Sequence, residues 1–580
     1  MTHTQTRYKS ATSLFTTLLC IVALLGVCLP THAGPAMEEV VAVRADRGMV
    51  ASQTRQASRV GREILEKGGN AVDAAVATAF ALAVTWPEAG NIGGGGFMMI
   101  APPDDDPVCI DYRETAPGAS TQDLYDKDGS RHNYRAVGLP GTVAGLALAH
   151  KNYGSLPWRD VVMPAVKLAG DGFEMDAWQA SSINGGIRKT DGLTEELSAN
   201  LRKVYGKPDG TPWASGDRII LPELAKTLQL IADGGKHAFY QGPIAKQIVA
   251  DMMRHDGLIN ATDLANYKAV IRKPIRGSFR GYEIYGAPPP SSGGTTLVLA
   301  LNIIEVLNLD PANRYSTGNT HKIIEAMRRA FRERAAHLGD PDYISNPQEL
   351  ITKPYAAKLA AGVDLERATK SEALLEGIRF TRIGKDTTHF SVIDVNGMAV
   401  SNTYTLEQSW GSRMVVAGAG FVLNNEMGDF NWVPGGTNET GRVGTPPNLI
   451  EPGKRMLSSM CPVILKRDGK VVLITGSPGG RTIINTVLTI VLNTTMFDMT
   501  PVEAIDAPRM HHQWFPDQVK YEAFDERVDP KTWEALSAMG HKVVPSQSAQ
   551  GSAHSIAVTS GEGRYIGVAD KRRGGKADGY

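Results

Sequence analysis

Hydrophobic positions along this chain follow two periods, and the period changes near residue 387. Before that point, most apolar runs carry the three-to-four-residue spacing of buried helix faces. After it, short runs in which apolar and polar residues interleave predict β-strands separated by glycine-rich turns. The pattern therefore predicts a protein that combines α-helices with β-strands.

The region before residue 387 is predicted to hold several helices. The stretch 71–84 is so rich in alanine and valine that it should be fully buried. Gly68-Gly69-Asn70 separates it from the preceding helix with residues typical of a helix C-terminus. The predicted helices are 55–67, 71–84, 164–171, 221–233, 295–307 and 320–336, and a helical stretch from Pro354 to about residue 380.

Four consecutive glycines at 93–96 precede an apolar run. A phosphate-binding loop would need Lys-Ser or Lys-Thr after the glycines, and none follows. Close backbone packing explains the glycines better. The predicted strands are 108–112, 388–393, 398–406, 462–465 and 471–475, followed by a helix at 482–492, a final helix and two closing strands.

The two strands after residue 387 form a predicted hairpin. Its turn at 395–397 reads Val-Asn-Gly and suits a three-residue loop with the glycine in the left-handed conformation. If Asp394 pairs with Met398, the same register sets Thr387 opposite Thr405. Two hydroxyl groups then share one face, whereas a two-residue loop would separate them.

Residues 1–33 have the pattern of a secretory signal. Arg7 and Lys9 precede an apolar core at 14–29, and 31–33 reads Thr-His-Ala, which predicts cleavage after Ala33. An uncleaved anchor is the alternative, but the apolar run is short for a span of ~20 residues. We therefore expect a periplasmic or secreted protein with no membrane span in its mature part.

Charge and cysteine content exclude some classes of protein. Acidic and basic residues balance at 61 each, so bulk charge gives no indication of nucleic acid or an anionic membrane as partner. After loss of the signal, Cys109 and Cys461 remain. They can form one disulfide or stay as two buried thiols, and we favour the thiols.

Lys385-Asp386-Thr387-Thr388 leads into the hairpin, and its threonines suit either an ordinary strand start or a nucleophile. A threonine hydroxyl reacts only when a base removes its proton. If the chain were cut between Asp386 and Thr387, the new α-amine, with a pKa of ~7.7–8.0, would be that base. This scheme needs no metal and no cofactor.

Several other motifs bear on this chemistry. Gly479-Gly480 opens a helix and can present two N–H groups to an oxyanion, although it also suits a plain turn. Arg113 follows the end of a predicted strand. An arginine there is usually a surface charge, but its guanidinium can also bind a ligand carboxylate through two hydrogen bonds. No G-x-S-x-G or H-E-x-x-H motif is present, and His511-His512 are better explained as structural than as metal ligands.

From about residue 45 to the C-terminus the sequence resembles the γ-glutamyltransferase (γ-glutamyltranspeptidase) family of N-terminal-nucleophile hydrolases. The resemblance rests on ordered motifs. They are Gly68-Gly69-Asn70-Ala71-Val72-Asp73-Ala74-Ala75, 91–97, 288–294, Thr387-Thr388-His389, Leu457-Ser458-Ser459-Met460 and 476–480.

The resemblance implies an α+β fold, a four-layer αββα sandwich, from a precursor that cuts itself at Asp386-Thr387. The large subunit would be 34–386 and the small subunit 387–580, forming a heterodimer. Expected site residues follow by motif: Thr387 as nucleophile, Thr405 in contact with it, Gly479 and Gly480 as oxyanion hole, Arg113, Ser458 and Ser459 for the substrate α-carboxylate, and Glu426 and Asp429 for its α-ammonium.

The sequence departs from the family in two places. Glu407 stands where many members have asparagine, although some bacterial members have an acid, and it can add a third carboxylate near the ammonium. The segment 431–454 matches the family's substrate-covering lid in length but has no tyrosine to latch onto residue 407. We therefore hypothesise a looser lid that favours hydrolysis.

Three functions are candidates for this sequence. The first is a γ-glutamyltransferase acting on glutathione and other γ-glutamyl compounds, with water, amino acids or dipeptides as acceptors. A relative that deacylates glutaryl-β-lactams is the enzyme alternative, but a glutaryl group has no ammonium and would not need Glu426 and Asp429. A periplasmic amino-acid-binding or peptide-binding protein is the third, and it would not need cleavage before Thr387.

Overall fold

The computed structural model describes residues 39–125, 130–189, 193–375, 387–435 and 444–580, together with residues 35 and 37. The predicted signal, Asp386 and the centre of the predicted lid lie outside the described residues. Among those described, no helix is both long enough and apolar enough to cross a membrane.

The helices bracket the sheets on both sides. They are α1 Arg55–Glu66, α2 Ala71–Thr85, α3 Thr142–Tyr153, α4 Trp158–Asp171, α5 Ala177–Arg188, α6 Glu195–Tyr205, α7 Pro222–Tyr240, α8 Pro243–Arg254, α9 Ala261–Asn266, α10 Gly293–Leu307, α11 Thr317–His337, α12 Lys353–Ala360, α13 Thr482–Thr495, α14 Pro501–Asp506 and α15 Pro530–Ala538.

The strands lie along the described chain from residue 42 to residue 579, and most of them belong to the two main sheets. The strands are β1 Ala42–Ala45, β2 Met49–Ser52, β3 Gly95–Ala101, β4 Val108–Asp111, β5 Phe173–Glu174, β6 Arg218–Ile219, β7 Val270–Arg272, β8 Ile275–Phe279, β9 Tyr282–Gly286, β10 Thr388–Ile393, β11 Ala399–Thr405, β12 Val463–Arg467, β13 Lys470–Thr475, β14 Met510–His511, β15 Val519–Glu522, β16 Val543–Ser546, β17 His554–Val558, β18 Tyr565–Ala569 and β19 Lys576–Gly579.

Within the described residues, two antiparallel seven-stranded sheets form the centre of the fold. One has the order β1-β18-β17-β13-β12-β9-β8 and the other β19-β2-β10-β11-β3-β4-β7. β10 and β11 of the second sheet pack face to face on β13 and on the neighbouring β17 and β12 of the first. The predicted αββα sandwich is confirmed.

Side chains of β3 alternate between the two apolar clusters on either side of its sheet. Met98 and Ile100 belong to the apolar cluster shared with α1 and α2, whereas Phe97 and Met99 face the cluster between the sheets. Because successive strand residues point to opposite faces, both faces of this sheet are covered. The strand is therefore apolar throughout rather than half polar.

Most predicted elements have their predicted type, and two predictions were wrong. The helical stretch expected to reach residue 380 ends at Ala360, where Gly362 accepts a hydrogen bond from Arg329 and the chain leaves the helix; residues 376–380 of that stretch lie outside the described residues. After α15 the chain forms four strands instead of two. These strands have only four or five residues, too few for a clear alternation.

Helix α4 begins at Trp158 and not at Pro164, the predicted start, so the proline lies inside the helix. Its buried face, formed by Val161, Val162, Ala165 and Ala169, continues through the proline. Tertiary packing of that face outweighs the local cost of proline. The two cysteines, Cys109 and Cys461, are buried free thiols, as we favoured from the sequence.

A buried ion-pair cluster ties the C-terminal strands together. Asp570 lies between Arg509, at 2.5 Å, and Arg572, at 3.2 Å, and all three side chains are buried. Burial alone would raise the pKa of Asp570, but the two guanidinium groups hold that pKa well below its usual value. The folded state therefore stabilises the ionised carboxylate.

Asp570→Asn should reduce the free energy of unfolding by about 3–5 kcal/mol, since it leaves buried Arg509 without its ion-pair partner and Arg572 with Glu522 alone. Because the folded pKa is depressed, the stabilisation is complete above about pH 5 and is lost as the pH falls through ~4 and below. Urea titrations at pH 7 and at about pH 2 measure both effects, because the loss occurs between the unfolded pKa of ~3.9 and the lower folded pKa. Asp468→Asn, in an exposed turn, is the matched control. A loss below about 1 kcal/mol at pH 7 would contradict this expectation.

Candidate active site

The β10–β11 hairpin sets the position of Thr387. Asp394 N donates to Met398 O at 3.1 Å, and Gly397 has φ 85°, as the three-residue loop requires. The register runs on to the pair formed by residues 388 and 404. One step further, the hydroxyl of Thr387 donates to that of Thr405 at 3.4 Å. The predicted register is confirmed.

The glycine run holds the far end of β11 in place. A Cβ on Gly94 would lie 2.0 Å from the carbonyl oxygen of Thr405, and one on Gly95 would lie 2.4 Å from that of Tyr112. Asn91 donates to the same Thr405 oxygen at 2.9 Å. The glycines thus allow close backbone packing, as predicted, and this packing positions the residue that contacts Thr387.

The turn after β13 lies next to the same hairpin. A Cβ on Gly476 would come within 2.4 Å of the His389 ring, so only glycine fits there. Gly479 and Gly480 follow with φ 133° and 58°, values that favour glycine. Ile483 N donates to Gly480 O at 3.1 Å as α13 begins. The turn therefore leads directly into a helix N-terminus, where partial positive charge stabilises an anion.

A small pocket opens at Thr387 and brings together most of the predicted site residues. Thr387 and Thr405 are nearly buried, with 6% and 3% of their surface exposed. Gly479 precedes the lining residue Gly480 but does not itself line the pocket. The lining residues are Arg113, Thr387, Thr405, Glu407, Glu426, Asp429, Ser458, Ser459, Met460, Gly480, Arg481 and Ile483.

Arg113 is the central charge of this pocket. Its Nη2 lies 2.5 Å from Asp429 Oδ2, its Nη1 contacts Glu426 Oε1, and Nη1 lies 3.3 Å from Glu114 Oε2. Burial opposes its charge, but the carboxylates raise its pKa above the ordinary value. In this structure the groups predicted for carboxylate and ammonium are paired with each other.

Three acidic side chains surround one guanidinium, so Arg113 cannot stabilise the ionised form of all three. Burial, only partly offset by Arg113, raises the pKa of Glu114 to about 7. Burial also raises the pKa of Glu426 well above its ordinary value. Glu426 Oε2 is buried and accepts no hydrogen bond from the residues that the structure describes. This oxygen is suited to receive a cation from a ligand.

Sequence reasoning missed two arginines near Ser459 and Gly480, one lining the pocket and one behind it. Arg334 of α11 donates to Ser459 Oγ at 2.9 Å. Arg481 follows Gly480 directly and lines the pocket, and burial with the nearby Arg334 charge lowers its pKa to about 9. Arg481 was visible beside the Gly-Gly motif, whereas nothing local to Arg334 in the sequence indicates a site.

Glu407 lines the pocket with Glu426 and Asp429, and it also has an ion-pair partner that the sequence did not indicate. Arg131 Nη1 lies 3.1 Å from Glu407 Oε1, and the same guanidinium lies over the Trp432 ring, 5.3 Å from its centre. Trp432 also stacks on Tyr125 with ring centres 4.3 Å apart. Residue 407 is therefore linked to the start of the predicted lid through Arg131 rather than through a tyrosine.

Potential metal ligands lie elsewhere. Among the described residues, His321, Glu325 and His541 are close enough to share an ion. His321 Nδ1 is hydrogen-bonded to His541 Nε2 at 2.8 Å, and Glu325 is ion-paired with Arg328 and Arg329. Adjacent cations oppose metal binding, so a structural network explains this cluster better.

Comparisons with known proteins agree with this geometry. The Gamma-glutamyltranspeptidase family model matches residues 57–580. The glutathione hydrolase proenzyme of Escherichia coli K12 is 43% identical over 574 residues, covering 96% of this chain and 97% of its own. A cephalosporin acylase from Bacillus halodurans matches with TM-score 0.83 and 25% identity over 96% of this chain and 99% of its own. The Helicobacter pylori gamma-glutamyltranspeptidase matches with TM-score 0.52 and 39% identity over 55% of this chain and 92% of its own.

Two sheets between helical layers, with a threonine at the start of a central strand, define an N-terminal-nucleophile hydrolase fold. Within that class, the family match and the near-full-length relative assign the chain more narrowly. The chain belongs to the γ-glutamyltranspeptidase family.

Proposed function

We propose that this protein is a γ-glutamyltransferase and glutathione hydrolase with Thr387 as its nucleophile. One observation carries the proposal: a buried guanidinium and two carboxylates, Arg113, Glu426 and Asp429, line the same pocket as the Thr387 hydroxyl. The α-carboxylate and α-ammonium of a γ-glutamyl group suit these charges. The γ-carbonyl then lies beside Thr387.

The proposed reaction uses these groups in turn. The Thr387 amine accepts the proton of its own hydroxyl while the oxygen attacks the γ-carbonyl. Backbone N–H groups of the Gly479-Gly480 turn stabilise the oxyanion, and the loss of one such donor typically costs about 2.7–4 kcal/mol. Collapse breaks the amide bond, and the ammonium returns its proton to the leaving amine. Water or the amine of an amino acid or dipeptide then attacks the ester and restores Thr387.

Maturation makes the amine available. The Thr387 hydroxyl attacks the carbonyl of Asp386, the amide nitrogen becomes the free amine, and water hydrolyses the ester. The products are a large subunit, 34–386, and a small subunit, 387–580. We expect them to remain together as a heterodimer, since β10 and β11 are central strands between β2 and β3 of the large subunit.

We also propose a periplasmic or secreted location. The basic start, the apolar core and the Thr-His-Ala end of 1–33 support it. Fractionation of cells that express the full chain tests this location. Retention of the mature subunits in the cytosol would contradict it.

A glutaryl acylase is the second candidate, and the likeness to cephalosporin acylase favours it. A glutaryl donor has no ammonium to pair with the second oxygen of Glu426. That oxygen is buried without a described donor, which argues for the γ-glutamyl substrate.

Purified mature protein tests the function directly. We expect two fragments of ~40 and ~20 kDa on a denaturing gel, and release of glutamate from glutathione. The same preparation should act poorly on a glutaryl anilide. A single uncut band, or a preference for the glutaryl donor, would overturn the proposal.

The lid contacts predict how the acyl group is shared between water and acceptor. We expect hydrolysis to exceed transfer at low glycylglycine. Arg131→Ala should lower the transfer-to-hydrolysis ratio by a further ~2–5-fold, because a cation–π contact contributes ~0.5–1 kcal/mol. Product analysis at varied glycylglycine measures the ratio. Arg135→Ala, whose guanidinium pairs with exposed Asp256, is the control. Dominant transfer by the wild type at low acceptor would refute the looser lid.

A further inference from the structure

Arg334 is a buried cation behind the pocket wall. Only 5% of its surface is exposed. Its Nε donates to Ser292 Oγ at 2.7 Å, and its Nη2 donates to Ser459 Oγ at 2.9 Å. Ser292 in turn donates to the carbonyl oxygen of Ser458 at 2.6 Å. One guanidinium thus holds both serines of the 458–459 pair, one directly and one through Ser292.

The charge of Arg334 has no close counter-ion within the described part of the chain. Burial lowers its pKa to about 10, and the negative charge of Asp429 opposes this effect. Arg334 therefore remains charged at neutral pH. Burying a guanidinium next to hydroxyls alone is costly, and an anionic ligand in the pocket would offset that cost.

The charge of Arg113, by contrast, is already neutralised. Glu426, Asp429 and Glu114 all contact its guanidinium. A carboxylate that enters the pocket meets Arg113 with this negative charge around it. On the serine side lie the positive charges of Arg334 and Arg481, and the charge of Arg334 helps to lower the pKa of Arg481.

We propose that Arg334 is a positioning residue that makes the Ser458–Ser459 pair specific for the α-carboxylate of the donor. By donating to Ser459 Oγ, it occupies a lone pair of that oxygen and leaves the hydroxyl hydrogen free to donate into the pocket. Through Ser292 it fixes the backbone at Ser458. Its charge then favours a carboxylate over a neutral group of the same shape.

This inference rests on the proposed function, because the carboxylate is that of the γ-glutamyl group. A purely structural role is the competing explanation, since Arg334 also links α11 to the loop before α10. Loss of a structural clamp would lower activity on every donor alike. Loss of carboxylate recognition would lower activity only on donors that carry the carboxylate.

The experiment compares two donors, γ-glutamyl-p-nitroanilide and its analogue with a carboxamide in place of the α-carboxylate. The measured quantity is the ratio of two kcat/KM values, that of the carboxylate donor divided by that of the carboxamide donor. In Arg334→Gln this ratio should fall about 10–100-fold, the range expected when a hydrogen bond to a charged group is lost. Arg334→Lys keeps the charge but contacts one hydroxyl at a time, so its ratio should fall by at least about 3-fold.

Arg332→Gln is the matched control. It lies on the same helix and bonds to Glu333 and to Leu374 O, away from the pocket, so its ratio should equal that of the wild type. An unchanged ratio in Arg334→Gln, or equal losses on both donors, overturns the inference. If that variant stays uncut, Arg334→Lys decides, and an unchanged ratio there overturns it. Wild-type enzyme inactive on the γ-glutamyl donor would instead refute the proposed function.

Discussion

Replacing Thr387 with alanine should give one uncut chain that releases no glutamate from glutathione. The same hydroxyl cuts the bond to Asp386 and attacks the substrate, so one substitution removes both activities. The expected loss is about 10⁴-fold or more, as for other removed nucleophiles. A denaturing gel and a glutamate assay on the same preparation measure both.

Thr387→Ser is the matched control, because it keeps the hydroxyl and removes only the methyl group. It should still be cut, although more slowly, and should retain measurable activity. Mass spectrometry of the small subunit should find residue 387 at its N-terminus in both the serine variant and the wild type. A cut alanine variant would show that another group breaks the chain, and the mechanism would then be wrong.

Glu426→Gln should separate γ-glutamyl donors from glutaryl donors. The wild-type carboxylate has one oxygen on Arg113 and one that accepts no hydrogen bond from a described residue. An amide at this position cannot neutralise the α-ammonium. We expect kcat/KM for γ-glutamyl-p-nitroanilide to fall about 100-fold, since loss of one partner of a buried charge pair costs about 2–5 kcal/mol.

The glutaryl anilide lacks the ammonium, so its kcat/KM should change little in the same variant. Glu562→Gln, in an exposed turn, serves as the control for a glutamate-to-glutamine change. Equal losses on both donors would mean that Glu426 supports the fold of the pocket and does not read the ammonium. That result would revive the acylase alternative.

The ion pairs that Arg113 forms with Glu426 and Asp429 affect which donor head groups the pocket can bind. A donor with only one of the two head charges would break the contact between Arg113 and the carboxylates and would pair with only one of the two partners. A zwitterionic head pairs both sides. The pocket therefore favours free amino-acid heads, which agrees with the γ-glutamyl assignment.

The hairpin was predictable because its information is local. The turn residues at 395–397 and the alternation of β10 set the register, and the register alone brings Thr405 to Thr387. The glycine run was also readable, since a missing side chain indicates close backbone contact. Element ends were less predictable, as Pro164 within α4 shows.

The arginines that contact the pocket residues Ser459 and Glu407 were not predictable in this way. Arg334 lies 125 residues before its partner Ser459, and Arg131 lies 276 residues before Glu407. No local pattern distinguishes these arginines from surface arginines. They could be assigned only once the helices and loops that carry them were packed against the sheets.

The sequence by itself determined the family, the αββα fold class, the identity of the candidate nucleophile and its neighbour Thr405. These features depend on motifs and on strand register, which are local properties of the chain. The tertiary structure alone decided the charge arrangement of the pocket: Arg113 paired with Glu426 and Asp429, Arg334 behind Ser459, and Arg131 between Glu407 and Trp432. The physical reason is that burial and pairing set the behaviour of a charge, and both are determined by residues distant in sequence.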